Sequence, residues 1–469
     1  MVNINKNPLG TEPVGKLIFQ YAIPSVLSLV INSLYNMVDQ VFIGRGVGYM
    51  GNAATNVILP LILTVMSLSL LICNGASAYL SLQLGKGDKE RANKSVGNMI
   101  TLSMIMALLV TVLTLVFLEP ICRFFGGTGE VLDYAMDYGR IIAYGFPAFV
   151  ICCGYNNVIR ADGRPNESMY GMLIGCVINV ILDPVFIYVF GWGVKGAAWA
   201  TIIGEFCNAV YFIVLIAKPK TIKVQKKDFI LEWKVSKAVL ALGTASFLNQ
   251  FATVIVIALQ NNLLVKYGAM SKYGSDITLA AFGITVKVNQ IVTSICLGIA
   301  LGVQPVLGFN YGSKQYDRVK KAFQLALGTG TIIMIVAWLA FHIFPEFFIN
   351  IFGTESELYM EFAKKCFRIF LGAIFLIPSS MICSNFLQGL GKPLSSAVLS
   401  LLRQIVILIP ATLLLVNWLG VEGVLYGGPV SDVLAGIISL VTVGVMWNKL
   451  FPAEDKLTDK KVQTAPAHC

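Results

Sequence analysis

The residues best suited to chemistry in this chain are a few oxygen-bearing side chains set inside apolar stretches. Residues 179–189 read NVILDPVFIYV, so Asn179 and Asp183 stand one helical turn apart on one face, with Pro184 directly after the acid. Asp39 occupies a similar setting in SLYNMVDQVFIG (33–44), and Thr201 one in GVKGAAWATIIGE (193–205). Carboxylate, amide and hydroxyl oxygens are what a hard cation such as Na⁺ takes. A desolvated carboxylate can instead hold a proton. Asp39, Asn179, Asp183 and Thr201 are therefore the expected cation or proton site, and the metal ligands if the ion is Na⁺. Pro184 removes the donor that would bond the Val180 carbonyl one turn back, and Pro24 does the same to Gln20, so both are expected hinges. The competing explanation is that Asp183 fixes helix packing through a neighbouring hydroxyl and that Asp39 is solvated near a surface. Ionisable residues buried in a membrane span usually mark function, which favours the site.

The elements that must position these groups follow from composition. The 469 residues are 56% hydrophobic and only 13% charged, more apolar surface than a water-soluble chain could bury. Runs of about 20 apolar residues read as membrane-spanning helices. Twelve are expected, at 17–44, 52–84, 93–118, 132–159, 166–190, 194–217, 236–265, 277–310, 318–345, 356–387, 393–417 and 421–448. The fold class is an all-α polytopic membrane protein embedded in a lipid bilayer.

The net charge of +10 is no nucleic-acid signal, because its Lys and Arg cluster in alternate connections. Lys86, Lys89, Arg91 and Lys94 form one group, Lys218 to Lys237 another, and Lys314, Arg318, Lys320 and Lys321 a third. Arg160, Arg164 and Lys392 follow the same alternation; Lys364, Lys365 and Arg368 depart from it. This positive-inside balance places both termini in the cytoplasm, and a bacterial inner membrane is the expected setting. Of ten cysteines none shows C-x-x-C spacing, and neither histidine, His342 nor His468, lies in a metal motif. The cysteines read as small packing residues. The first 16 residues lack a signal-peptide core, and the tail from Pro452 is polar and expected to be disordered. Nothing points to a cofactor, an obligate protein partner or nucleic acid.

The chain repeats itself. GVKGAAWATIIGE (193–205) aligns with GVEGVLYGGPVSD (420–432), LGKGDKERANK (84–94) with YGSKQYDRVKK (311–321), and FFGGTGE (124–130) with IFGTESE (351–357), all at an offset of 227. DGRP (162–165) aligns with LGKP (390–393) at 228. Two homologous six-helix bundles are implied, with an even helix count and hence the same orientation: a parallel pseudo-two-fold repeat like that of some secondary transporters. The expected divisions are 1–16 as a cytoplasmic N-terminus, 17–217 as an N-lobe, 218–235 as a cytoplasmic connection, 236–448 as a C-lobe and 449–469 as a cytoplasmic tail. At the repeat offset Asp183 faces Pro410 and Asn179 faces Val406, while aligning the first helices sets Asp39 against Leu259. Glu205, by contrast, meets Asp432. Asp39, Asp183 and Thr201 all fall ~7–11 Å inside the outer boundary at 1.5 Å per residue, so three helices of the N-lobe bring oxygens to one level. Glu205, Lys287, Arg403 and Asp432 are further charged positions near mid-membrane. Asp432 is expected to pair with Lys287 or Arg403; Glu205 has no obvious partner.

The segments IPSVLSLVINSLYNMVDQVFIGRGVG, GFPAFVICCGYNNVIRADGRPNESM, NVILDPVFIYVFGWGVKGAAWAT and GVQPVLGFNYGSKQYDRVKKA resemble the multidrug and toxic compound extrusion (MATE) family, over nearly the whole chain. That resemblance implies secondary active export of small-molecule organic cations, driven by inward Na⁺ or H⁺ movement with no other cofactor, and a contribution to antibiotic resistance. The DinF-like branch looks closest. Its N-lobe cation site matches Asp39, Asn179, Asp183 and Thr201, and its bending first-helix proline matches Pro24. The C-lobe carboxylates of the NorM-like branch have no counterpart in SFLNQFATVIVIALQNN or FRIFLGAIFLIPSSMICSNFLQ. The resemblance implies that cation binding bends the first helix, closes the N-lobe and lets the lobes rock. A lipid-linked sugar flippase is the alternative in the same superfamily, but it calls for a strongly cationic cavity, for which Lys287 and Arg403 are the candidates. An enzyme is disfavoured, since no metal-ligand set, nucleophile–base pair or nucleotide loop is present. A channel has no need of an asymmetric carboxylate site.

Overall fold

A computed structural model of the protein describes residues 7–217, 222–351 and 357–451. The first six residues, the start of the inter-lobe connection at 218–221, and the tail from Pro452 with His468 lie outside the described residues.

Among the described residues twelve helices are long and apolar enough to cross a membrane. They are α1 (Val14–Gly46), α2 (Met50–Lys86), α3 (Lys89–Phe124), α4 (Gly129–Ala161), α5 (Pro165–Val189), α6 (Val194–Ala217), α7 (Trp233–Ala269), α8 (Ile277–Gly312), α9 (Tyr316–Ile343), α10 (Glu357–Gly389), α11 (Pro393–Leu419) and α12 (Val421–Leu450). Helices are the expected solution because each satisfies its own backbone in a medium without water. The packing repeats as the sequence does. In the first half α2 packs on α4, α4 on α6, α5 on α6 and α1 on α5; in the second α8 packs on α10, α10 on α12, α11 on α12 and α7 on α11.

Prolines decide where the helices depart from the simple reading. The tenth span is not continuous: it breaks after Phe370, passes through a 3₁₀ turn at Ile374–Leu376 and restarts at Ile377 with Pro378 in its first turn. Pro378 offers no donor to the Ile374 carbonyl one turn back; at the break Leu376 N donates to the Ala373 carbonyl instead of that of Gly372, and the Gly372 carbonyl accepts from Trp338 Nε1 at 2.9 Å. The ninth span stops at Ile343, short of the expected 345, and a short helix Pro345–Asn350 follows it. In α5 the α-helix ends at Pro184 and Val185–Val189 form a π-helical turn. In α11 the π segment, Leu402–Leu408, comes before Pro410. By contrast α1 runs through Pro24 without interruption; there the Ser28 hydroxyl donates to the Pro24 carbonyl at 2.7 Å.

Among the described residues the halves meet from the end at which α1 begins as far as mid-helix, where the Ser33 and Ser294 hydroxyls lie 2.8 Å apart. There α1 packs on α8, α2 on α7, and α2 on α8 about the pseudo-two-fold. Backbones touch where glycine removes the side chain. A Cβ on Gly85 would sit 2.1 Å from the Phe309 carbonyl oxygen, and one on Gly312 would sit 2.4 Å from that of Leu82, two equivalent clashes at offset 227. Two straps cross at this end. Asn310 Nδ2 donates to the Leu9 carbonyl at 2.9 Å, and Arg318 Nη2 to that of Glu12 at 2.6 Å, tying the segment before α1 to the second half. The segment before α7 returns the exchange: Lys223 N donates to Asn93 Oδ1 at 3.0 Å, Thr101 Oγ1 to the Phe229 carbonyl at 2.8 Å, and Lys94 pairs with Glu232. At the far end the basic residues that departed from the charge pattern are neutralised locally, Lys364 by Glu346 and Lys365 by Glu422, both at 2.5 Å. The Lys364 ammonium holds the Glu346 carboxyl below the usual carboxylate range.

Candidate functional site

Three helices of the first half, α1, α5 and α6, carry the expected oxygen ligands, and the structure brings them together. Asp39 lies seven residues before the end of α1, at Gly46. Asp183 is the penultimate residue of the α-helical part of α5, and Asn179 sits one turn below it. Both are buried, Asp183 completely and Asn179 to 2% exposure. Asn179 Nδ2 donates to Thr201 Oγ1 at 3.2 Å, while the Thr201 hydroxyl donates to its own Ala197 carbonyl at 3.1 Å. With its proton committed to the backbone, the Thr201 oxygen can only accept, which fixes the amide and leaves Asn179 Oδ1 free. Asp39 and Asp183 stand within hydrogen-bonding reach of each other.

The decisive feature is what these atoms lack. Asp39 Oδ1, both carboxylate oxygens of Asp183 and Asn179 Oδ1 are buried with no hydrogen-bond partner. Leaving a buried acceptor unsatisfied costs ~1–3 kcal/mol, more when it is charged. Two carboxylates in contact cannot both stay ionised without a cation or a shared proton between them. The donor set of carboxylate, amide and hydroxyl oxygens suits a monovalent cation or a proton. Among the described residues no group of three His, Cys, Asp or Glu could hold a metal ion, so thiolate- or imidazole-seeking metals have no such site.

Local structure explains why the carboxylates sit here. The π turn after Pro184 places Tyr188 so that its hydroxyl donates to the Phe42 carbonyl of α1 at 3.0 Å. Gly46 permits this closeness, since a Cβ there would lie 2.3 Å from Ile187. The turn thus clamps α5 to the outer part of α1, three residues beyond Asp39. Pro24 lies far from this cluster, about three turns along α1 from its start at Val14, at the inter-lobe seam where Ala22 and Val26 meet Gly302 and Gly298.

The second half treats its charges differently. Arg403 Nε donates to Asp432 Oδ1 at 2.9 Å, and the Ser431 hydroxyl donates to the Arg403 carbonyl at 2.7 Å. Of the two expected partners for Asp432, Arg403 is the one the structure provides. Lys287 is exposed, and among the described residues no acid lies within ion-pair distance of it. Glu205 has no ion-pair partner among the described residues. A cavity of about 490 Å³ at the far end of the second half is lined by Lys272, Lys365 and Glu422, whose charges are already paired, and it is remote from the carboxylates.

Some polar groups escaped the sequence reading. Tyr35 and Tyr138 lie near the acids; Tyr35 could have been found one turn before Asp39, whereas Tyr138 on α4 gives no such signal. A chain of amides also joins the halves. Asn157 donates to Asn74 at 2.9 Å, Asn74 to Ser246 at 3.0 Å, Ser246 to Gln388 at 3.4 Å, and Gln304 to Gln388 at 3.2 Å.

Comparison with known proteins agrees with this architecture. The MatE family pattern matches residues 24–185 and 241–414. The multidrug export protein MepA of Staphylococcus aureus is 24% identical over 440 residues, 94% of this chain and 95% of that protein. The crystal structure of MATE in the straight conformation superimposes with a TM-score of 0.88 at 23% identity, covering 94% of this chain and 98% of that one. The outward-facing conformation of a multidrug resistance MATE family transporter gives a TM-score of 0.87 at 24% identity, covering 93% and 96%.

Proposed function

Because this chain belongs to the MatE family, we propose that it exports small organic cations across a bacterial inner membrane in exchange for Na⁺ or H⁺. The observation that carries the exchange is the set of unpartnered oxygens on Asp39, Asn179 and Asp183. The coupling cation and a cationic substrate compete for that negative charge, and the competition couples their movements. The arrangement fits the DinF-like one: the unpartnered carboxylate oxygens lie in the N-lobe, and in the C-lobe Asp432 is paired with Arg403.

With both termini in the cytoplasm, the closed strap end is the cytoplasmic end, so the cleft faces outward and the carboxylates lie in its outer half. The cycle then runs by rocking about the glycine seam. The cation enters Asp39 and Asp183 from outside, the outer part of α1 closes on α5, and Pro24 lets α1 yield where it meets the second lobe. Opening of the strap end releases the cation and exposes the acids to the next substrate. Pro184 and its π turn give α5 the complementary freedom. The flippase alternative gains no support, because Arg403 is committed to Asp432 and Lys287 alone does not make a cationic cavity.

The test is ethidium transport in proteoliposomes under an imposed Na⁺ gradient, then under a pH gradient. Transport under one gradient, lost in Asp183→Asn, is the expected result and names the ion. Transport that ignores both gradients, or that survives the substitution at full rate, overturns the proposal.

A further inference from the structure

We infer that Glu205 and Tyr35 form a second small-cation site, one helical turn nearer the strap end than the Asp39–Asp183 pair, so that coupling cations pass through two layers of oxygens. This rests on the exchange reading above and specifies how many cations the N-lobe holds.

Three helices build both layers by the same spacing. Tyr35 precedes Asp39 by four residues on α1, Glu205 follows Thr201 by four on α6, and Cys176 precedes Asn179 by three and Asp183 by seven on α5. Each inner residue therefore shares its outer partner's face, displaced by about 5–6 Å along the axis. The close packing of α6 on α5 sets the level: a Cβ on Gly204, next to Glu205, would sit 2.7 Å from the Gly175 carbonyl oxygen and 3.4 Å from Asn179 Cβ, and Tyr35 and Tyr138 lie near enough to Glu205 to feel its charge. A Cβ on Gly145 would lie 3.6 Å from Glu205 Oε2, so the carboxylate is directed toward α4 and the interior of the bundle.

Among the described residues no cation pairs with it. The helices packed against α6 are α1, α4 and α5. Near Glu205 they place Tyr35 on α1 and Tyr138, Cys152 and Cys153 on α4, all neutral. The repeat makes the omission informative. Asp432, the counterpart of Glu205, is buried against Arg403. The counterpart of Arg403 in the N-lobe is Gly175 or Cys176, according to whether the offset is 228 or 227. The same acid is thus held by an internal cation in one lobe and left to an external one in the other. The unpartnered, buried Asn179 Oδ1 and Asp183 oxygens directly above show that this column of the bundle is built to receive a positive charge. Tyr138 and Cys176 beside this layer are buried, while Tyr35 and Glu205 are half-buried.

Purified full-length protein, loaded with ²²Na⁺ at alkaline pH or held in weakly buffered solution with a pH dye, is titrated with ethidium, and the cations released per ethidium bound are counted. The ²²Na⁺ arm and the proton arm distinguish the two ions. Glu205→Gln is expected to release one cation fewer than the wild type, and Asp183→Asn to lower the count separately. Tyr35→Phe should weaken the affinity of the inner cation without changing the fold. If Glu205→Gln keeps the wild-type count while Asp183→Asn lowers it, the second site is refuted and the exchange reading stands. If neither lowers it, both fall. A Glu205→Gln protein that does not elute as a folded monodisperse species is replaced by Glu205→Asp, for which an unchanged count with weakened affinity supports the site and an unchanged affinity refutes it.

Discussion

The two lobes share a backbone plan and differ in how they dispose of charge. In the C-lobe Asp432 meets Arg403 at 2.9 Å and the pair closes on itself. In the N-lobe Asp39 and Asp183 meet each other, and their oxygens end without partners. The prolines are placed in the same spirit: Pro184 follows an acid and precedes its π turn, whereas Pro410 stands where the acid would be and follows its π segment. One lobe has satisfied its buried charge internally and the other has left it for something that arrives from outside. On the proposed exchange reading, a symmetric scaffold thereby acquires an asymmetric task, with one lobe exchanging ions and the other bearing against it.

Substitutions can break that contrast in order of size. Asp183→Asn should cost the most function, about tenfold or more in gradient-driven ethidium export, with little loss of thermal stability, since the amide relieves the carboxylate contact. Arg403→Leu should do the reverse. It leaves Asp432 buried and unpaired, a loss of about 3–5 kcal/mol read as a lower melting temperature in detergent, while the dependence on the driving ion is retained. The double variant Arg403→Leu with Asp432→Leu should recover most of that stability. If Arg403→Leu instead abolishes ion dependence at unchanged stability, the division between the lobes is wrong.

The seam is where the lobes should agree. Gly85→Ala and Gly312→Ala introduce equivalent clashes with the Phe309 and Leu82 carbonyls. Each is expected to destabilise the closed strap end by about 1–3 kcal/mol, with matched shifts in thermal stability. Unequal shifts would mean that the pseudo-two-fold does not hold at the contact. The smallest effect belongs to Pro184→Ala, which restores a backbone donor to α5. A small stability gain from the restored hydrogen bond, partly offset by the greater freedom of the unfolded chain without proline, is expected with a modestly slower turnover, and a faster turnover would remove the proline from the hinge.

Much of this was legible in the sequence. Twelve apolar runs, a repeat at an offset of 227 and two carboxylates, Asp39 and Asp183, without counterparts in the other repeat follow from composition and spacing, because a bilayer rewards long apolar helices and penalises every charge placed within them. The Asn179–Asp183 face was equally legible, since helical periodicity alone puts those side chains together. What lies between helices was not. The choice of Arg403 over Lys287 for Asp432 depends on how α11 and α12 rotate against each other. The break in α10 depends on Trp338, thirty-four residues from Gly372, arriving to satisfy a freed carbonyl. Tyr138, Glu205 and Tyr35 converge through the packing of α1, α4 and α6, and no one-dimensional spacing encodes that. Sequence sets which faces each helix must hide and which charges it carries. Only the packed bundle decides which of those charges find a partner inside the protein and which remain open to an ion.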